Sequence, residues 1–222
     1  MLKYPCLILD HDDTVVQSEA TVNYPFFCYI LDHFRPGTRI SLEAYIRGCF
    51  HPGFVEMCRQ HYHFTDKELQ IEHQGWKDYV RTHIPNPYPG IARIIQRQLE
   101  LGGKIFVVSH SSREIIIRDY QAHFGIVPDE IFGCELPANQ WKPSTYPLKQ
   151  IMNKYGFTEQ EMLVVDDLKP GWQMARDAGV KIVFAAWSKL GVPEIVKEMT
   201  GLCDYSFHTV RDLEAFLFDN ME

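Results

Sequence analysis

The stretch Cys6-Leu7-Ile8-Leu9-Asp10-His11-Asp12-Asp13-Thr14 decides how the chain is read. An apolar run of strand type ends abruptly in a cluster of acids. Carboxylates crowded at a strand end repel one another unless a cation or a proton sits among them, so the pattern asks for a metal. The alternative is an Asp-rich turn, because Asp hydrogen-bonds readily to its own backbone. Further polar islands favour chemistry over the turn: Ser109, Lys142 and the pair Asp166-Asp167, each following an apolar strand-like run or preceding a helix. Together they point to metal-assisted phosphoryl transfer.

Strand candidates recur at residues 7–9, 104–108, 130–134, 162–165 and 181–186, and helical patterns alternate with them. Ile91, Ile94, Ile95 and Leu99 form one stripe that ends at Gly102-Gly103. Ser111 to Glu114 has the spacing of a capping box, and Gly125 closes the helix it opens. Leu148, Ile151, Met152 and Tyr155 make a third stripe; Trp172, Ala175 and Ala178 make a fourth. Thr209 to Asp212 repeats the cap before Leu213, Phe216 and Leu217. This alternation predicts an α/β fold, a Rossmann-like parallel sheet with helices on both faces. Short apolar strands without strict polar alternation fit burial on both sides.

Right-handed crossovers place the second strand beside the first and the third beyond it. If the chain then reverses, the fourth strand lies on the other side of the first, and Asp10 and Asp12 face Asp166 and Asp167 across the switch point. Ligands of open α/β sheets bind at that crevice. A cluster of carboxyl oxygens there suits Mg²⁺, which takes hard oxygen ligands and keeps water for a substrate phosphate.

Between the first strand and the helix at 91, the βα alternation stops for far longer than the usual 2–6-residue loop. This segment carries helical stripes (Val22, Phe26, Ile30; Leu42, Tyr45, Ile46) and ends in Pro85-Asn86-Pro87-Tyr88-Pro89-Gly90. The economical division is a catalytic core at 1–17 and 86–222, with a helical cap inserted at 18–85.

Composition bounds the function. The 222 residues carry a net charge of −7, with 45% hydrophobic and 13% aromatic residues. That suffices for a sizeable core and argues against a nucleic-acid partner, which wants a basic patch. A phosphorylated small molecule remains compatible. The scattered Cys6, Cys28, Cys49, Cys58, Cys134 and Cys203 contain no C-x-x-C pair and read as reduced thiols. No run is long enough to span a bilayer, and the acids at position 10 interrupt any signal-peptide core. The expectation is a cytoplasmic protein without membrane contact, a monomer or small homo-oligomer. The histidines show no His-Glu-x-x-His pattern, and His61 and His63 fall on different sides of a helix.

In order and spacing these islands resemble the motifs of the haloacid dehalogenase superfamily. Asp10-His11-Asp12-Asp13-Thr14 is similar to its D-x-D-x-T motif. Val107-Val108-Ser109 resembles the second motif, Lys142-Pro143 the third, and Val164-Val165-Asp166-Asp167 with Gly171, Ala175 and Ala178-Gly179 the fourth. The resemblance implies that Asp10 attacks phosphorus to form an aspartyl-phosphate and that Asp12 serves as general acid and base. Lys142 would offset the negative charge. Mg²⁺ would be held by Asp10, the Asp12 carbonyl, Asp167 and Asp166. Thr14, Ser109 and His110 would bind the substrate. Read singly, Ser109 is a turn residue, Lys142 an exposed side chain before a proline, and Asp166-Asp167 a helix cap.

The sequence also departs from the family pattern. Asp13 stands where the family usually has Gly, Thr145 where a second proline is common, and Gly171 where many members carry Asp. Asp12 speaks against dehalogenation, and a helical insert after the first motif resembles the C1-capped branch. The resemblance therefore implies a Mg²⁺-dependent phosphomonoester hydrolase acting on a small phosphorylated metabolite. The alternatives are a mutase similar to β-phosphoglucomutase, or a non-catalytic interaction protein that keeps the fold. Thr14 favours the phosphatases, since the mutases often have Val there. Arg47 and His51 sit where such caps carry a specificity loop, and either could contact the leaving group. Arg47 is equally readable as a solvated helix residue.

Overall fold

The structure is a computed structural model and describes residues 2–219. Its centre is a parallel sheet of β1 (Cys6–Leu9), β2 (Lys104–Val108), β3 (Glu130–Phe132), β4 (Met162–Asp166), β5 (Lys181–Ala185) and β6 (Tyr205–Phe207), in the order β3-β2-β1-β4-β5-β6. Cys6 registers with Lys104 on one side and with Met162 on the other. The chain therefore reverses beside β1, which places β4 on its other side. β6 was not expected from the sequence: it has three half-buried residues at the sheet edge, too few for a hydrophobic pattern.

Successive side chains of a strand point to opposite faces, and both faces are buried. Leu7, Leu9, Ile105, Val107, Leu163 and Val165 face α5 (Ile91–Glu100), α6 (Arg113–Phe124) and α10 (Val210–Phe218). Cys6, Ile8, Phe106, Val108 and Val164 face α7 (Tyr146–Tyr155) and α8 (Lys169–Ala178). Gly125, Gly156 and Gly179 end α6, α7 and α8 in the left-handed conformation that only Gly adopts freely.

The segment after β1 forms a π-helical turn at Glu19–Asn23, then α1 (Tyr24–Phe34), α2 (Leu42–Phe50), α3 (Phe54–Tyr62) and α4 (Asp66–Thr82). Phe26, Phe27, Ile30 and Leu31 of α1 pack against Tyr45, Ile46, Met57, Cys58 and Phe64. The same apolar cluster continues into Phe184, Val192, Ile195 and Met199, the last two on α9 (Pro193–Leu202). Thr65 caps α4 in a capping box with Glu68, and Glu68 also pairs with Arg35 at the end of α1. That pair ties the end of α1 to the start of α4. All six cysteines are free. No helix among the described residues is long and apolar enough to cross a membrane.

Candidate active site

The acidic cluster lies at the carboxyl edge of the sheet, at the switch between β1 and β4. Asp10 prolongs the β1–β4 pairing by one bond, its N–H donating to the Val165 carbonyl at 2.9 Å. That register brings Asp10 beside Asp166 and Asp167. Each of the three offers a carboxylate oxygen, and these oxygens lie within 4.8 Å of one another. Buried oxygen donors of this kind suit a hard divalent cation such as Mg²⁺. Asp167 Oδ1 is buried without a hydrogen-bond partner, so this oxygen is free to ligate a cation. The side chain of Asp12 is not in this group.

Lys142 arrives from the loop between β3 and α7. Its ammonium donates to Asp10 Oδ1 at 2.9 Å and Asp166 Oδ2 at 2.6 Å, with all three side chains buried. Burial alone would lower the Lys142 pKa, but the two carboxylates outweigh it and raise it, so the ammonium stays charged. Burial drives Asp166 up to about 6, although Lys142 pulls against that rise. The Leu168 N–H donates to Asp166 Oδ1 at 2.9 Å and fixes the carboxyl plane.

Gly171 explains its own identity. A Cβ there would stand 2.1 Å from Asp166 Cγ and Oδ2, so α8 can start this close to the carboxylate only with glycine.

Asp12 is half-buried and its carboxylate turns toward β2 and the start of α6. Ser111 donates to Asp12 Oδ2 at 2.5 Å and Ser109 at 3.4 Å. The α6 cap differs from the expectation here. Ser112, not Ser111, is the N-cap and accepts from the Ile115 N–H, so Ser111 is released to hold Asp12. Two adjacent serines before a helix leave that assignment ambiguous in sequence.

Lys189 is the largest feature the sequence did not show. It follows β5 at the same sheet edge, fully buried, and donates to Asp13 Oδ2 and to Asp167 Oδ2, both at 2.7 Å. Burial would lower the Lys189 pKa; Asp13 and Asp167 reverse the sign and raise it well above normal. Asp13 itself has φ +54°, the left-handed region that glycine occupies without strain. Its side chain pairs with Lys189 and also accepts the Glu19 N–H. No motif surrounds Lys189 in the sequence; its one signal is a basic residue shortly after an apolar strand.

These groups line a cavity of about 140 Å³ with Asp10, Asp12, Asp13, Ser109, His110, Lys142, Asp167 and Lys189 on the core side. Ile46, Cys49 and Phe50 of α2 and Glu19 close it from the helical segment. His110 reaches the Lys142 carbonyl at 3.2 Å, and burial lowers its pKa. Thr14, expected to bind substrate, is fully buried and does not line the cavity; its hydroxyl has no partner and its carbonyl accepts from Trp187. Arg47 and His51 are not brought in. Arg47 is half exposed and paired with Glu194 across the α2–α9 contact, and His51 is exposed beyond the end of α2. On α2 the residues that reach the cavity lie one position before Arg47 and two or three after it, on the face that Arg47 turns away from.

A model of the family described as haloacid dehalogenase-like hydrolase matches residues 7–185. A phosphoglycolate phosphatase of Aquifex aeolicus (strain VF5) is 25% identical over 170 residues, 74% of this chain and 70% of that protein. Among solved structures, a predicted phosphoglycolate phosphatase from Haemophilus somnus 129PT superposes with a TM-score of 0.73 at 18% identity, covering 97% of this chain and 99% of that one. A HAD family hydrolase from Deinococcus radiodurans R1, crystallised with phosphate and sodium, gives 0.76 at 15% identity, covering 98% and 96%.

Proposed function

The chain belongs to the haloacid dehalogenase-like hydrolases, and on that premise we propose that it hydrolyses a small phosphomonoester through nucleophilic attack by Asp10. One observation supports this above the rest: a carboxylate held by an ammonium group lies beside a second carboxylate held by serine hydroxyls, in one cavity. Lys142 engages Asp10 Oδ1, which leaves Oδ2 to attack phosphorus. A carboxylate needs no prior deprotonation for that role. The P–O bond to the alcohol breaks, Asp12 entering as the carboxylic acid gives its proton to the departing oxygen and becomes the carboxylate, and an aspartyl-phosphate remains. Water then attacks that phosphorus, Asp12 takes the proton, and inorganic phosphate leaves with Asp10 restored.

Ser109 and His110 would bind phosphate oxygens, Ser109 by exchanging its long contact to Asp12 for one to the substrate. Lys142 would offset charge on the nucleophile and on the transferring group in a water-poor site. Mg²⁺, held by Asp10, Asp166 and Asp167 with the Asp12 carbonyl, would supply electrostatic stabilisation of the phosphoryl oxygens. The helical segment at 18–85 would act as the cap that excludes water, because Ile46, Cys49 and Phe50 face the cavity. The test is hydrolysis of p-nitrophenyl phosphate by purified protein with and without Mg²⁺. Mg²⁺-dependent turnover that disappears in Asp10→Asn supports the reading; turnover unchanged in Asp10→Asn refutes it.

A further inference from the structure

A second cavity, about 370 Å³, opens inside the helical segment and shares Glu19 and Cys49 with the first as lining residues. The first, at about 140 Å³, has room for little more than a phosphoryl group and its ion. The remainder of an ester must extend beyond it, and the cavity inside the helical segment adjoins it at Glu19 and Cys49.

Its chemistry is unusual. Tyr45, Phe54 and Trp76 give it aromatic walls, and two carboxyls, Glu19 and Glu72, enter them. Glu72 is only 6% exposed, yet no hydrogen bond or ion pair among the described residues reaches its carboxyl. Burial with no compensating charge pushes it up to about 7. Glu19 Oε2 is buried without a partner while Asn23 donates to Oε1 at 3.3 Å, and burial and the neighbouring Asp13 raise Glu19 to about 7. Among the described residues no Lys or Arg lines this cavity, and the one basic lining residue, His73, is exposed and stacks on Trp76.

A buried acid with no partner destabilises the fold, so such a group commonly marks a place where a ligand completes the pairing. Carboxylates and aromatic faces together select for a cation. The carboxylates give charge-assisted hydrogen bonds, and the ring faces attract ammonium groups through their quadrupoles. The same walls repel a carboxylate. We propose that this cavity receives the leaving alcohol of the substrate and that the alcohol bears an ammonium group, so that the ester hydrolysed is an amino-alcohol phosphate. The proposal rests on the phosphatase reading above and names its substrate class.

The test compares kcat/KM for O-phosphoethanolamine and phosphocholine with that for glycerol 1-phosphate and 2-phosphoglycolate, with p-nitrophenyl phosphate as the reference for hydrolysis itself. At least one amino-alcohol ester should exceed both other metabolites tenfold or more. In Glu72→Gln, which keeps the side-chain shape, the ratio of amino-alcohol ester to glycerol 1-phosphate should fall at least tenfold. Preference for 2-phosphoglycolate, or a ratio unchanged in Glu72→Gln, would overturn the proposal. Calorimetric titration with ethanolamine and choline separates it from the phosphatase reading. If p-nitrophenyl phosphate is not hydrolysed, Glu72-dependent amine binding still supports the cation cavity, and absence of binding overturns it.

Discussion

Asp13 and Lys189 form a fully buried ion pair at 2.7 Å, and the same ammonium lies 2.7 Å from Asp167. The residue that departs from the family's first motif is thus matched by a lysine that follows β5, two strands away, which shares its charge between the departure and a proposed metal ligand.

Removing that ammonium leaves Asp13 and Asp167 facing each other in a buried site. Breaking one side of a buried pair costs about 3–5 kcal/mol. Lys189→Met should therefore lower Tm in EDTA, and Mg²⁺ should restore more of the loss than it adds to the wild type. Asp13→Gly suits the left-handed backbone but leaves Lys189 to Asp167 alone. The Mg²⁺ concentration needed for half the maximal thermal shift should rise. Thermal melts across a Mg²⁺ titration measure both.

Gly171→Ala forces a methyl group into the Asp166 carboxylate, 2.1 Å from its built position. Overpacking of a tight site costs about 1–3 kcal/mol, and here the atom displaced also carries Lys142. Tm should fall by several degrees, with kcat at least tenfold lower. A variant equal to the wild type in both would show that α8 can move away freely.

Asp12→Asn removes the proposed proton donor and acceptor, a role worth about 10²–10⁴-fold in rate. The loss should be larger for alkyl phosphates than for p-nitrophenyl phosphate, whose leaving group departs without a proton. Ser111→Ala, which frees Asp12 from its 2.5 Å hydrogen bond, should reduce kcat by a smaller factor, about tenfold. Steady-state kinetics on the two ester types measures the difference.

The helical segment should lose stability in acid. Hydrogen bonds from Arg35, ahead of the Thr65 backbone N–H, lower the Glu68 pKa from 4.5 to about 2. The folded state therefore favours the carboxylate. The contribution is complete above pH 4.5 and disappears as pH falls toward 2. The Tm difference between wild type and Glu68→Gln should be largest at neutral pH and close over that window.

The sequence by itself determined what is local. Apolar runs ending in Asp10, Ser109 and Asp166 made β1, β2 and β4 legible, because a buried parallel strand needs continuous hydrophobicity and its chemistry sits where that stops. Apolar stripes placed α5, α7, α8 and α10, the last behind its Thr209 cap, because a helix packed on a sheet buries one face. Three-residue β6 carried no such period, and α6 began one residue later than its paired serines indicated. What only the tertiary structure decided is which polar groups meet. Lys189 has no motif around it, Arg47 turns to Glu194 instead of the cavity, and Glu72 looks like any exposed acid on an amphipathic helix until α2 and α3 close over it. Periodicity records which face of an element is buried; the partner a charge finds there depends on chain crossovers that bring distant residues within hydrogen-bond reach.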